Sequence, residues 1–403
     1  MIQRRKTRQV MIGDVKVGGS APVSIQSMTK VGTSDVAAVV AQIKGLEKCG
    51  CEIIRVAIRN IGDARAVKAI KRKINIPLVA DIHFDHRLAL KAIAAGADKI
   101  RLNPGNIKRT EEIREVISSA KKAGIPIRIG VNSGSIPETS NQKPVTRRKR
   151  IGDGKDNSAI LVKAALDYIK LFEALDFHDI IISLKASDVV STVEAYRKIA
   201  ALCDYPLHLG VTAAGPYDSG MVKSAVGIGG LLLEGIGDTV RVSLTADPVE
   251  EVIAAKRILS ALGLRRSGPE IISCPTCGRC QVDLGRIVKE LERKLTTRHY
   301  PLNTKRALTV AVMGCEVNGP GEAREADIGI AFGKGSGILF KKGKIVKKVA
   351  TKDATRELFR AIVIASDCEA KPKQELEQSL LDCSSLLRGC HQIASSALRA
   401  SSQ

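Results

Sequence analysis

Tryptophan is absent from this 403-residue chain, and tyrosine and phenylalanine number only five and six. A core without large rings has to be filled by Ala, Val, Ile and Leu in close backbone packing, which favours an α/β architecture. The same scarcity argues against single-stranded nucleic-acid binding, which leans on base stacking as well as charge. Long apolar runs are missing too: none approaches the ~18 residues of a membrane span. The basic start "MIQRRKTRQV" has no apolar h-region or cleavage site behind it, so a cytoplasmic protein without a membrane segment is expected. Negative charge is short as well, with 42 Asp and Glu against 64 Lys and Arg and a net +22. That excess concentrates anions, whether phosphorylated metabolite, nucleic acid or acidic protein, and sign alone does not choose among them.

At 44% hydrophobic and 26% charged, the chain has the balance of a globular protein with a sizeable core. Its length suits a domain of ~250 residues plus a smaller one. We expect a domain over 1–265, a second over 266–365 and an extension over 366–403. Between residues 23 and 262, β-branched runs alternate with Ala-rich helical stretches. Candidate strands are 23–27, 52–57, 77–82, 99–103, 126–131, 179–185, 206–211 and 238–244. Eight strand-then-helix units are what a (β/α)8 TIM barrel requires, with an open doubly wound sheet as the rival.

Polar residues gather towards one end of these runs: Ser27, Arg55, Asp81, His83, Arg101, Asn103, Arg128, Asn132, Lys185, His208, Arg241 and Ser243. In a parallel barrel such ends converge on a single mouth, where barrel enzymes keep their chemistry. Any one of the cations Arg55, Arg101, Arg128, Lys185 and Arg241 could be an ordinary ion pair. As a set they predict a ligand with more than one phosphate or carboxylate, the anions that guanidinium forks match. "DIHFDH" also admits a metal-hydrolase reading through Asp81, His83, Asp85 and His86, but no second His-rich cluster completes such a site. An acid/base or hydrogen-bonding role for Asp81 and His83 is the better expectation. The basic run Arg147 to Arg150 reads as a solvated loop, with a phosphate-gripping flap as the sharper alternative.

After residue 269 the rhythm changes to that of a smaller α+β unit, expected to place helices on one face of a mostly antiparallel sheet. It carries "CPTCGRC" at 274–280 and "GCEVNGPGE" at 314–322. Cys274 and Cys277 have the C-x2-C spacing of a shared metal centre, followed by Cys280 and Cys315. Zinc wants four closed ligands and usually a second C-x2-C pair, whereas an iron–sulfur cluster tolerates three thiolates plus another ligand. Buried structural thiols are the bland alternative. The remaining cysteines, Cys49, Cys51, Cys203, Cys368, Cys383 and Cys390, read as packing residues or incidental thiols. "NGPGE" predicts a tight exposed turn holding Glu322, either an ordinary surface charge or a fourth ligand.

The stretches "VSIQSMT", "PLVADIHFD", "RLNPGNI", "IPIRIGVN", "SLKASDV", "PLHLGVT", "SAVGIGGLLLEGIGDTVRVSL", "CPTCGR" and "GCEVNGPGE" run in order through the chain. In them the sequence resembles the bacterial two-domain 4-hydroxy-3-methylbut-2-en-1-yl diphosphate synthases, iron–sulfur reductases of the methylerythritol phosphate route to isoprenoids. The resemblance implies a barrel that binds 2-C-methyl-D-erythritol 2,4-cyclodiphosphate and opens its ring by a two-electron reduction with loss of water. It also implies a 4Fe-4S cluster on Cys274, Cys277, Cys315 and Glu322, a flavodoxin or ferredoxin donor, and a head-to-tail homodimer. Arg55, Arg101, Arg128, Asn132, Lys185, Arg241 and Ser243 match positions that hold the diphosphate, while Asp81, His83 and Asn103 match positions that face the carbon skeleton. Cys280 lies outside the shared pattern. The family commonly reads T-E-A-G where this chain has "TAAG", so Ala213 stands where an acid is expected and implies slow turnover or an inactive homologue.

Overall fold

The computed structural model describes residues 2–370 except 104–106, 108, 133–156, 187, 213, 266–267, 298–307 and 318. The basic run 147–150, Ala213 and the tail from 371 onward therefore lie outside the described residues. The chain divides into two compact units, Met1–Arg265 and Arg266–Gln403.

The first unit opens with a hairpin, β1 (Gln9–Ile12) and β2 (Val15–Gly18), followed by eight parallel strands. These are β3 (Ser24–Met28), β4 (Ile53–Ile58), β5 (Leu78–Ile82), β6 (Lys99–Leu102), β7 (Ile127–Asn132), β8 (Ile180–Lys185), β9 (His208–Leu209) and β10 (Thr239–Val240). Their order, β8-β7-β6-β5-β4-β3-β10-β9, is joined end to end by a parallel bridge between Ile182 and Leu207. The sheet is thus the expected (β/α)8 barrel and not the open rival. Helices α1 (Val36–Lys48), α2 (Ile61–Lys71), α3 (His86–Ala94), α4 (Thr110–Ala123), α5 (Asn157–Glu173), α6 (Val189–Leu202), α7 (Tyr217–Leu233) and α8 (Pro248–Ala261) follow the strands in turn.

Local chemistry starts many of these helices. Asp35, Asn60, Asp85, Asp188 and Asp247 each accept a hydrogen bond from a first-turn backbone N–H, satisfying a donor the helix cannot. Outward strand residues such as Ile54, Val56, Ile100 and Ile129 pack under Val39, Ile43, Val67, Val116 and Ile117 of the helices, giving the aliphatic core the composition calls for. The hairpin had no counterpart in the sequence reading. Its Val10, Ile12 and Val17 cluster with Ile53, Val79 and Ile181, all early in their strands, and so close the floor of the barrel. The last two strands are shorter than expected, although Arg241 N still donates to Leu209 O at 3.0 Å beyond their ends.

The second unit is a five-stranded sheet in the order β11 (Glu270–Ser273), β12 (Thr309–Met313), β13 (Ile328–Gly333), β14 (Ser336–Lys341) and β15 (Lys344–Ala350). The expectation of a mostly antiparallel sheet is corrected: β11, β12 and β13 pair in parallel and only β13, β14 and β15 alternate. Helices α9 (Leu284–Thr297) and α10 (Gly319–Glu325) stand between the parallel pairs, as same-direction neighbours need a crossover. α9 and α11 (Ala354–Ala370) put Leu284, Leu291, Leu358 and Ile362 on a core with Val310, Val312 and Ile330. α10 occupies the other face, where a Cβ on Gly319 would sit 2.9 Å from Ala331 Cβ and 3.0 Å from Met313 Cβ. Helices on one face only was therefore also wrong. The expected turn at "NGPGE" is instead the first turn of α10, a position where Pro320 costs no hydrogen bond.

Candidate active site

Strand alternation explains the pocket in the first unit. In β4 to β8 every second residue points into the barrel, which brings Arg55, Asp81, Arg101, Gly130, Ser183 and Lys185 to one cavity of about 320 Å³. Met28, His83, Arg128, Thr212, Arg241 and Ser243 complete its lining. Glycines make the space. A Cβ on Gly130 would lie 2.8 Å from Arg101 Nε, and one on Gly210 would lie 2.5 Å from Lys185 Nζ. Only a bare backbone lets these cations lie across the cavity floor.

Five cations and one carboxylate line the pocket. Asp81 is shared: Arg101 Nη1 donates to it at 3.1 Å and Arg55 Nε stands 3.6 Å away. Burial alone would raise its carboxyl, but Arg55, Arg101, Arg128 and His83 outweigh burial and hold it below the usual carboxylate range. Arg241 lies 3.6 Å from Glu251, a buried carboxylate of α8 that also faces Lys30 at 3.2 Å and accepts from Leu244 N at 3.1 Å. Arg128 and Lys185 have no carboxylate at ion-pair distance among the described residues, and Arg128 Nε and Nη1 are buried without a partner. Burial first, then the neighbouring guanidiniums, pushes Lys185 far down. Guanidinium stays charged under such pressure, so the strain appears as affinity for an anion.

"DIHFDH" is divided by this geometry. Asp81 and His83 line the cavity, whereas Asp85 caps α3 and pairs with Arg87 at 2.9 Å, and His86 faces Glu112 and Glu115. These four do not form a metal centre. Asn103 is buried, lines an apolar hollow with Leu102, Ile107, Ile113, Ile129, Tyr168 and Phe172, and is not among the residues lining the cavity. Ser27 faces Glu251 Oε2 at 3.5 Å rather than the pocket. Asn132 ends β7, and its side chain is outside the described set. His208, read as a mouth residue, lies fully buried inside the barrel. Met28 and Ser183 were missed, although each has the inward parity of its strand; Glu251 carried no signal because it reaches in from a helix.

In the second unit, β11 and β12 pair in parallel with Ser273 opposite Val312, so the chain leaves both strands at the same edge. This places Cys274 beside Gly314, whose N–H donates to Cys274 Sγ at 3.3 Å. A Cβ on Gly314 would meet Cys280 Sγ at 2.4 Å and Cys274 Sγ at 3.4 Å, so glycine is required for the two sulfurs to share this nook. Arg279 donates to the exposed Cys277 from both backbone and side chain, lowering its thiol pKa, and its charge also faces Cys315. Glu322 is exposed in the first turn of α10. No three His, Cys, Asp or Glu side chains among the described residues converge on one metal ion. The donors nonetheless fit an iron–sulfur cluster, in which each iron takes its own thiolate and N–H donors face the sulfurs. Cys51 is buried, its thiol pushed up to about 12, while Cys49 and Cys203 pack against the same barrel core.

Residues 7–256 match the family model described as the GcpE TIM-barrel domain, and residues 270–363 match the GcpE protein C-terminal domain. A protein of Fusobacterium nucleatum named 4-hydroxy-3-methylbut-2-en-1-yl diphosphate synthase (flavodoxin) is 54% identical over 91% of this chain and 99% of its own length. Proteins of the same name from Thermodesulfovibrio yellowstonii and Clostridium perfringens are 52% and 53% identical, each over 90% of this chain and 99% of their own.

Proposed function

The chain belongs to the GcpE family, and from that premise we propose that it reductively opens 2-C-methyl-D-erythritol 2,4-cyclodiphosphate to (E)-4-hydroxy-3-methylbut-2-enyl diphosphate in non-mevalonate isoprenoid biosynthesis. It is an oxidoreductase of the 4-hydroxy-3-methylbut-2-en-1-yl diphosphate synthase type. The observation that carries the reading is the surplus of buried cations around the 320 Å³ cavity, a size suited to a small metabolite. The inactive-homologue alternative rests on Ala213 alone, and relatives 50–54% identical lend it no support.

In this reading Arg55, Arg101, Arg128, Lys185 and Arg241 grip the two phosphates, and Ser243 adds a hydroxyl from the same rim. Asn132 is kept as a further phosphate ligand. Asp81, clamped as an anion, fixes Arg55 and Arg101 in place; His83 beside it is the titratable group free to pass a proton at the ring oxygen. Asn103, which follows β6 and also lines the apolar hollow, is kept as a residue facing the carbon skeleton. Cys274, Cys277, Cys315 and Glu322 would hold a 4Fe-4S cluster, which would supply one-electron redox chemistry when bound. A carboxylate is a hard ligand among soft ones and is the easiest of the four to displace. The electron donor is a flavodoxin, as in the relatives' name, or a ferredoxin. We place the enzyme in the cytoplasm and assign it a homodimer; no helix among the described residues is long and apolar enough to cross a membrane.

Anaerobic purification and reconstitution test this directly. The expected product is a brown protein with about four iron per chain that turns over the cyclodiphosphate with a strong reductant. A colourless protein holding stoichiometric zinc would end the reading. Light scattering checks the dimer, which a fully active monomer at assay concentration contradicts.

A further inference from the structure

Below the cavity-lining positions the barrel interior is apolar on β4, β5 and β8, through Ile53, Val79 and Ile181, and polar on β3, β6, β9 and β10, where such a core is usually aliphatic. Ser24, Thr239 and His208 stand side by side on β3, β10 and β9, paired in register across the three strands. Gln26 and Lys99 belong to the same interior, Lys99 Nζ donating to Gln26 Oε1 at 3.3 Å. Lys99 and His208 are both 0% exposed. Among the described residues, both ring nitrogens of His208, the two hydroxyls and Gln26 Nε2 have no partner.

The charges that reach this layer are of one sign. Lys99 faces Arg128 and Arg55, and His208 faces those two with Lys185 and Lys99. The nearby carboxylates are committed elsewhere, Asp81 to Arg55 and Arg101, Glu251 to Arg241 and Lys30. A buried ammonium or imidazolium without a counter-ion is costly, so the ligand-free barrel favours the neutral bases. A ligand carrying two negative charges reverses the local field.

We propose that Lys99 and His208 form a buried proton-acceptor site one side-chain layer beneath the pocket, which takes up a proton when a multiply anionic ligand binds above it. The proposal rests on the reading of the pocket as a cyclodiphosphate site. The bound dianion offsets the repulsion from Arg55, Arg128 and Lys185, and the proton enters from solvent through the open cavity. Gly210 helps, since its missing Cβ leaves Lys185 Nζ lying across β9 two residues above His208. The site lets the barrel present fewer charges when empty and one more when loaded, which sharpens its preference for doubly charged ligands.

The substrate is a clean probe, because each phosphorus of a cyclic diphosphate keeps a single strongly acidic hydroxyl and does not titrate near neutrality. Oxidised, cluster-loaded protein, unable to turn over, is titrated with the cyclodiphosphate by calorimetry at pH 7.5 in buffers of low and high ionisation enthalpy. The slope of heat against buffer enthalpy counts protons, and we expect about one taken up per ligand bound. The double variant Lys99→Met/His208→Gln should cut that uptake by more than half while still binding the ligand, which also shows that it is folded. A slope of zero in the native protein overturns the proposal. So does uptake that persists undiminished in the double variant, since the proton would then sit on Lys185. Absence of any binding heat or competition in the native protein instead overturns the substrate reading, a distinguishable failure.

Discussion

The barrel pocket and the thiol nook are built on opposite principles. The pocket is assembled from side chains that strand alternation turns inward, and it is buried and oversupplied with charge of one sign. The nook is assembled from backbone edges, where two parallel strands release their chains together and glycine lets the sulfurs of Cys274 and Cys280 approach; Cys277 and, on α10, Glu322 are exposed. A pocket of the first kind binds an anion of fixed shape through pre-paid desolvation. A nook of the second kind suits a group that organises its own ligands. The first therefore exists before its ligand arrives, and the second is completed by it.

Replacing Cys315 with Ser gives the largest effect and tests that division. Turnover should fall to background and iron content to well under half of native, because three thiolates are the minimum the donor set offers. Calorimetric affinity for the cyclodiphosphate in the barrel should stay within about threefold, as that site needs no thiolate. A barrel that lost its ligand together with the iron would break the comparison.

Arg128→Ala comes next. A fully buried guanidinium with two unpartnered N–H groups is poised for charge-assisted bonds worth about 1.5–3 kcal/mol, so kcat/KM should drop roughly 10-fold to 150-fold. Iron content should not change. Lower iron in this variant would show that the pocket and the nook are not separately built.

Gly210→Ala should be milder. The added methyl meets Lys185 Nζ at 2.5 Å and the Arg241 carbonyl at 2.7 Å, and such overpacking costs about 1–3 kcal/mol. Moving the end of the lysine chain off the floor relieves the first contact, while the carbonyl contact has to be met by a shift of backbone. KM for the cyclodiphosphate should therefore rise about tenfold with kcat changed less. An unchanged KM would mean that Lys185 takes no part in holding the ligand.

How much of this was legible follows from period and depth. Period two is written in the strands, so Arg55, Asp81, Arg101, Arg128, Lys185 and Arg241 could be assigned to one mouth, and the structure brings all six to one cavity or its wall. Depth along the axis is not written, because it depends on how the strands stagger on closing. His208 shares the parity of the mouth residues and lies a layer lower; Asn103 lies past its strand end and falls into an apolar hollow. The mixed sheet of the second unit was misread because strand pairing is a choice among partners that local pattern does not rank. Glycines gave the least warning, since Gly130, Gly210 and Gly314 matter for the atom they lack.

The smallest predicted effect concerns the floor of the pocket and sharpens the claim that it is prebuilt at a cost. Burial first, then Arg128, Lys185, Lys99 and Arg55, hold the imidazole of His208 well below its ordinary range in the folded, ligand-free protein. A base with a depressed folded pKa binds fewer protons folded than unfolded, so the native state is undisturbed above the unfolded pKa near 6.5 and loses stability as pH falls below it. Between pH 6.5 and 5.5 the loss attributable to this one group is about 1 kcal/mol. His208→Gln removes the titration while keeping a polar side chain of similar reach. Urea unfolding of the ligand-free protein should show native stability declining over that interval, and the variant declining by about 1 kcal/mol less. Parallel pH profiles would mean that His208 meets water or a counter-charge in the free protein, and that the floor of the pocket is less dry than the walls above it.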